Sequence, residues 1–365
     1  MQSYFTFGRS SACGPCTGNT VEPINTTCRL CGAAARMTSV CQPGYRVGTT
    51  YRIFACCVCE TSFAEPFTVE DGIYEEIYRN VRSIPGYARY FDYAEAVAAV
   101  ADPLGFLAAA EDVYWGVARS LRSAAGVRRV LEIGSGYGYL TYALGVAGYD
   151  VLGLDLSREA VARARSRFGN RFVACDSIDY ASVAGAGRWD VVVFCELIEH
   201  VPDLDGFFAA ALRLLAPGGR LILTTPNKTF YPRHLAWMTD PPPVHLWWLS
   251  ERSVAELATR HGCRLALVDF TEFNRARRNF LKRFRRDEAP PASRMTAFGA
   301  GVGWTGGGLP VRRAKEALLR MPGFARLYSS ALGRTRILGP RSYNLCAVLR
   351  PGPGDCHIKG ASSSR

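Results

Sequence analysis

Residues 195–201 read CELIEHV and follow directly on WDVVVF. An apolar run with the character of a buried strand stops, and Glu196, Glu199 and His200 arrive together. Charged groups beside a buried strand are costly unless they find partners. On a short helix, positions i, i+3 and i+4 share one face. The three side chains are therefore expected to point together toward the carboxyl edge of a sheet, where open α/β folds bind ligands. Two carboxylates and an imidazole converging there suit a divalent cation, with His245 in PPPVHLWWLS as the fourth ligand. Two histidines tilt the choice toward Mn²⁺, Fe²⁺, Co²⁺ or Zn²⁺, with Mg²⁺ also open. In a metal-free alternative His200 or His245 is a general base, Glu199 pairs with an arginine, and Glu196 touches a cofactor or substrate. His234 in YPRHL is a weaker candidate for either role.

A second set of ligand-type residues lies near the N-terminus. Eight of the thirteen cysteines precede residue 60. The first residues, MQSYFTFGRSSACG, lack a basic start followed by an apolar core. No apolar run reaches the ~20 residues of a spanning helix. The expected compartment is the cytoplasm, where clustered cysteines point to metal rather than disulfides. CRLC (Cys28, Cys31) and CCVC (Cys56, Cys59) resemble a zinc ribbon closing on one tetrahedral ion. A strand–turn–strand pattern in YRIFACCVCETSF favours Cys56 over Cys57. Cys13 and Cys16 form a further, weaker pair in a Gly/Ser/Thr-rich stretch, and Cys41 is left over.

The elements that must position these groups begin near residue 127. VRRVLEIGSGYGYLTYALGVAGYDVLGLDLS has the pattern strand, glycine loop, helix, strand. Gly134, Gly136 and Gly138 let a ligand approach backbone at a helix N-terminus. A dinucleotide fold would have GxGxxG, whereas the spacing here is GxGxG. Glu132, just before the loop, suits an amino-bearing ligand better than a pyrophosphate. Asp155 ends the second strand, where a carboxylate can hold a ribose diol. Asp176 ends the third, in reach of an adenine amino group. WDVVVFCE is apolar throughout, as in a strand buried on both faces. LDGFFAAALRLLAP is a helix, and RLILTTPN a fifth strand.

LEIGSGYG, LDLS, CDS, VVVFCELIEHV and LLAPGGRLILTTPN occur in that order, and residues 127–270 with SYNLCAVLR resemble the class I S-adenosylmethionine (SAM)-dependent methyltransferases. The resemblance implies an α/β fold, a doubly wound, mostly parallel seven-stranded sheet with one antiparallel strand. It implies that Glu132, Gly134 and Gly136 hold the methionine part of SAM, Asp155 the ribose, and Asp176 with Ser177 the adenine. The ExxEH segment with a later histidine is similar to the metal-dependent O-methyltransferases, including those of small RNAs, and EHV also occurs in ubiquinone-type O-methyltransferases.

The remaining segments define the expected organisation: 1–23 disordered, 24–64 a zinc-ribbon-like module, 65–125 helical, 126–350 the methyltransferase domain with a basic insertion near 275–340, and 351–365 a disordered tail. A tyrosine series (Tyr74, Tyr78, Tyr87, Tyr90, Tyr93) is read as core with polar tips at the surface rather than as a substrate mouth. Trp237, Trp247 and Trp248 either stack on a substrate or pack beneath a loop. RARRNFLKRFRR (275–286) carries seven basic residues in twelve, and the net charge is +12. A solvated face, nucleic-acid phosphates or a peripheral membrane contact would each account for that segment. The expected function is O-methylation of a saccharide, nucleotide-sugar or secondary-metabolite hydroxyl, a small-molecule or glycan acceptor. The alternatives are an RNA 2′-O-methyltransferase, or an N- or C-methyltransferase with a metal-free histidine base.

Overall fold

The computed structural model describes residues 25–123, 126–183, 185–230, 239–277, 293–302 and 339–352. In chain order the described strands are β1 (Asn25–Thr27), β2 (Ala34–Pro43), β3 (Thr50–Cys56), β4 (Ser62–Glu65), β5 (Arg129–Ile133) and β6 (Asp150–Asp155). They continue with β7 (Phe172–Ala174), β8 (Trp189–Cys195), β9 (Leu215–Pro226), β10 (Trp247–Trp248), β11 (Cys263–Leu267) and β12 (Asn344–Pro351).

Seven of these form one sheet in the order β11-β12-β9-β8-β5-β6-β7. Its centre is parallel, and β12 runs antiparallel to both neighbours, β9 and β11. This is the class I methyltransferase fold. The helices Tyr139–Val146, Arg158–Phe168 and Leu204–Leu214 connect the parallel strands. Val191 to Phe194 of β8 are buried, consistent with a central strand covered on both faces. The sheet order reverses beside β5, so the carboxyl ends of β5 and β8 open the crevice in which such folds bind ligands.

The other sheet has the order β1-β2-β3-β4-β10. Its first four strands are contiguous in sequence, but the fifth, β10, comes from beyond β9 and pairs Trp247 with Phe63 and Trp248 with Ser62. One buried cluster joins Cys28, Phe54, Cys59 and Phe63 to Phe194, Phe208, Leu223 and Leu257. The N-terminal sheet therefore shares a core with one face of the large sheet. Helices Ala88–Ala96, Pro103–Ala110 and Asp112–Arg122 cover the opposite face. A break near Pro85-Gly86 precedes the first of these helices and one at Asp102-Pro103 the second, which Asp102 caps by accepting from Gly105 N at 2.8 Å. Asp112 ties the last strand to this layer. Its carboxylate accepts from Ser342 Oγ (2.6 Å) and from Asn344 Nδ2 (2.9 Å).

Trp247 and Trp248 are 3% and 1% exposed; Trp247 packs in the core the two sheets share, and Trp248 packs with Ile53 and Ala64 of the smaller sheet. Trp247 Nε1 donates to Val201 O and Trp248 Nε1 to Thr239 Oγ1, each at 2.8 Å. Trp237, His234, Cys13, Cys16 and all of the basic stretch beyond residue 277 lie outside the described residues. Among the described residues, no helix is long and apolar enough to cross a membrane.

Candidate active site

One cavity of about 740 Å³ runs along the carboxyl ends of β5, β6, β7 and β8. Glu132, Gly134, Gly136, Asp155, Asp176, Ser177, Glu196, Glu199, His200 and His245 all line it. At one end the glycine loop turns from β5 into the helix Tyr139–Val146. Gly136 and Gly138 have φ of 50° and 79°, a region L side chains rarely occupy. A Cβ on Gly138 would also lie 2.5 Å from the Phe172 ring, so close packing as well as backbone conformation excludes a side chain there. The loop orients Asp155, whose two oxygens accept from Gly136 N at 2.7 Å and Ser157 N at 2.9 Å. Burial raises the Asp155 carboxyl to about 6, against the pull of those two amides. Glu132 is buried behind the loop and accepts from Thr141 Oγ1. Burial, aided by the nearby Asp155, lifts it to about 8. Asp176 spends one oxygen on Ile178 N (2.7 Å), at the start of the helix Ser177–Val183.

At the other end the chain leaves β8 through CELIEHV. A 3₁₀ turn covers only Ile198–His200, and Glu196 precedes it in left-handed backbone with φ of 49°. The expected helical face i, i+3, i+4 is therefore not formed. Glu199, His200 and His245 each bring one ligand atom within 4.8 Å of the others, and Glu196 is not part of that group. A one-turn helix starting at Ile198 cannot extend its periodicity back to residue 196. Glu196 points its own enclosed Oε1 into the cavity without a hydrogen-bond partner, and burial together with the Glu199 charge holds its carboxyl well above the usual range. A non-glycine residue in such backbone at a site costs on the order of 1–3 kcal/mol, which the surrounding fold must offset.

The two histidine rings pack edge to face with centroids 4.7 Å apart. His200 Nδ1 lies 2.7 Å from Val244 O. A carbonyl only accepts, so Nδ1 carries the hydrogen and Nε2 is left as the basic nitrogen. Burial, with His200 and Arg294 nearby, pushes His245 well below the usual imidazole range, so its ring is neutral. Glu199 accepts from Thr225 Oγ1 at 2.9 Å through Oε2. Glu199 Oε1 and His245 Nδ1 are buried without a hydrogen-bond partner among the described residues. An unpartnered carboxylate oxygen and an unpartnered imidazole nitrogen beside His200 Nε2 are a donor set that fits a divalent cation.

Between the two ends the wall is aromatic. Tyr74, Tyr78, Tyr87 and Tyr90 line the cavity, with Tyr114 and Tyr139 below them. All five rings of the tyrosine series pack against buried clusters, as expected, and all but Tyr93 also line the cavity. The i, i+4 pair Tyr74 and Tyr78 shares a face of the helix Ile73–Arg79, and that spacing was the available signal. Tyr87 donates to Asp240 Oδ2 at 2.6 Å, and Arg294 Nε lies 3.4 Å from Asp240 Oδ1. Neither Asp240 nor Arg294 had a sequence signal, because both reach the cavity from segments beyond β9.

The four cysteines come from two turns of the N-terminal sheet. Cys28 and Cys59 sulfurs are 3.6 Å apart, and those of Cys31 and Cys56 are 3.5 Å apart. Tetrahedral Zn–S bonds of about 2.3 Å would place sulfurs about 3.8 Å apart, so the set fits a zinc ion. Cys57 is exposed. The contact with Cys28, and then burial, raises the Cys59 thiol. Packing four thiols this closely without a cation disfavours the thiolates.

Residues 92–268 match the family model described as a methyltransferase domain. The chain is 36% identical over 110 residues to the ubiquinone biosynthesis O-methyltransferase of Aromatoleum aromaticum, covering 28% of this chain and 46% of that protein. It is 40% identical over 106 residues to the protein of the same name from Methylococcus capsulatus, covering 28% and 45%. The chain thus spans about half the length of the curated relatives it matches. A SAM-dependent methyltransferase structure from Archaeoglobus fulgidus aligns at 17% identity, covering 64% of this chain and 90% of that one, with a TM-score of 0.39. Both relatives are named for ubiquinone biosynthesis.

Proposed function

We propose that this protein is a SAM-dependent O-methyltransferase acting on an aromatic hydroxyl of a small molecule. The observation that carries this reading is the single cavity joining the glycine loop and Asp155 to the Glu199–His200–His245 cluster. The names of the curated relatives support the oxygen acceptor, and the tyrosine-lined wall supports an aromatic one, since aromatic faces pack favourably edge-on or offset.

In this reading Glu132 and the Gly134–Gly136 amides hold the methionine part of SAM, Asp155 the ribose, and Asp176 with Ser177 the adenine. When bound, SAM supplies a methyl group on a positively charged sulfur. The protein must orient the acceptor oxygen and remove its proton. His200 is built to remove the proton, because Val244 O fixes its tautomer and leaves Nε2 free to accept. Glu199, buried beside it, stabilises the charge the ring gains. A second reading rests on the orphaned Glu199 Oε1 and His245 Nδ1. Here Glu199, His200 and His245 hold a divalent ion, which would supply Lewis acidity at the acceptor oxygen. In both readings Cys28, Cys31, Cys56 and Cys59 hold a structural zinc.

Glu199→Ala is expected to abolish turnover while leaving affinity for S-adenosylhomocysteine nearly intact, as measured by calorimetry. Loss of that affinity, or full turnover, would overturn the assignment of the acceptor end. Metal content and turnover before and after mild chelation separate the two readings. An exchangeable ion needed for turnover but not for cofactor binding selects the metal; one tightly held zinc and no further requirement selects the His200 base.

A further inference from the structure

Among the described residues, the segment that carries His245 is held from two sides. On one side it hangs from the ExxEH turn. Leu246 N donates to Glu199 O at 2.9 Å, and Val244 O accepts from His200 Nδ1. On the other it is sewn to the four-cysteine knuckle. Its next residues, Trp247 and Trp248, are a strand of the cysteine-bearing sheet, and Ala64 N donates to Leu246 O at 3.0 Å. Directly after them, Ser250 Oγ and Ser253 Oγ both donate to Cys59 O, at 2.9 and 3.0 Å. Thr61 Oγ1 donates to Ser253 Oγ at 2.7 Å. Ser250, Ser253 and Thr61 are 1%, 0% and 0% exposed, so water cannot replace these bonds.

We infer that the cysteine site is a positioning device for the acceptor end of the active site, setting where His245 stands relative to Glu199 and His200. The inference builds on the proposed roles of those three residues. A bound ion would fix the Cys59 sulfur and so restrain its residue, whose carbonyl is the anchor of the Ser250–Ser253 turn. A displaced Cys59 shifts that turn, then β10, and His245 two residues before it. The glycine loop and Asp155 stand on β5 and β6, which pair with β8 and β7 and not with the N-terminal sheet. The cofactor end therefore meets the knuckle's sheet only through the shared apolar core and not through strand pairing.

The test uses the full chain with ¹³C-labelled histidine. Five histidines give five ring signals, and His200 and His245 are assigned by substitution. Zinc content and affinity for S-adenosylhomocysteine are followed in parallel. Ser250→Ala combined with Ser253→Ala replaces neither a metal ligand nor a residue that lines the cavity. It is expected to move the His245 and His200 signals and to lower turnover about tenfold, the usual scale for lost outer-shell bonds. One zinc per chain and the cofactor affinity should be kept. Should that pair of changes prevent folding, Thr61→Val removes the bond to Ser253 Oγ and the one accepted from Cys59 Sγ, leaves both Cys59 O bonds in place, and should produce the same shifts in smaller degree with zinc content kept. Zinc removal should move the two histidine signals before cofactor affinity falls. Unmoved histidine signals in either variant, or cofactor affinity falling in step with them, would overturn the inference. Neither outcome depends on the acceptor, so failure of the O-methyltransferase reading, seen as absent turnover in the unmodified protein, is distinguishable.

Discussion

Glu132 is a carboxyl buried behind a glycine loop, and its protonation can be read without any ligand. Its ordinary value is 4.5, and the folded protein raises it to about 8 by burial. Below 4.5 both folded and unfolded chains carry the proton and the burial is fully tolerated. Between 4.5 and 8 the unfolded chain ionises first, so stability falls as pH rises through that window. Glu132→Gln, which keeps an acceptor for Thr141, should therefore stabilise the ligand-free protein, and the gain over the unmodified protein should grow by about 1.4 kcal/mol per pH unit toward pH 8. Urea denaturation at pH 6 and 8 checks this; a gain independent of pH would show that Glu132 is already ionised. The carboxylate preceding the loop was legible in the sequence because LEIGSGYG places it at a strand end. The left-handed backbone of Glu196 was not: ExxEH has helical spacing, and only the abrupt exit from β8, with Glu196 N bonded back to Thr224 O, breaks it.

At the scale of elements, the turn between β5 and its following helix is the most constrained feature. Gly138 combines φ of 79° with a Phe172 ring 2.5 Å from where a Cβ would sit. Gly138→Ala should cost about 2–5 kcal/mol, the sum of backbone strain and overpacking. Chemical denaturation measures the loss, and a cost below 1 kcal/mol would mean that the loop relaxes freely. Which strands pair was not legible, since β5 sits beside β8 as well as β6, but the parallel strands themselves were, because each is a short apolar run bounded by its own turn residues. β10 was not. Two tryptophans in a proline-rich stretch carry no period, and their role depends on Ser62 and Phe63, far back in the chain. Tyr74 and Tyr78 are a similar case. Their spacing shows a shared face, but what that face meets is set by Glu75, which accepts from Ser157 Oγ and Arg158 N, both at 2.9 Å, and draws the helix over the cofactor end.

At the scale of the whole molecule, the cysteine-bearing sheet is part of the main core and not an appended module. Arg260, at the end of the helix Glu251–Arg260, donates to Leu30 O and pairs with Asp205 at 2.7 Å. Cys28→Ser with Cys31→Ser should release about one zinc per chain and lower the melting temperature of the entire protein in one transition. Metal analysis with calorimetry tests this; unchanged zinc content would show that the cysteines bind none. The cysteine pairs and the glycine loop were each readable from local spacing, whereas their connection runs through Ser250 and Ser253, residues with no motif of their own. The position of β12 has a consequence for biosynthesis. A ribosome releases residues 344–351 after every other described strand, yet β12 must slot between β9 and β11. Until then the nascent chain presents two open strand edges, one of them the largely buried β9, which can recruit neighbouring chains. Closure of the large sheet thus waits for β12, and its yield should depend on how long β9 is shielded from other nascent chains.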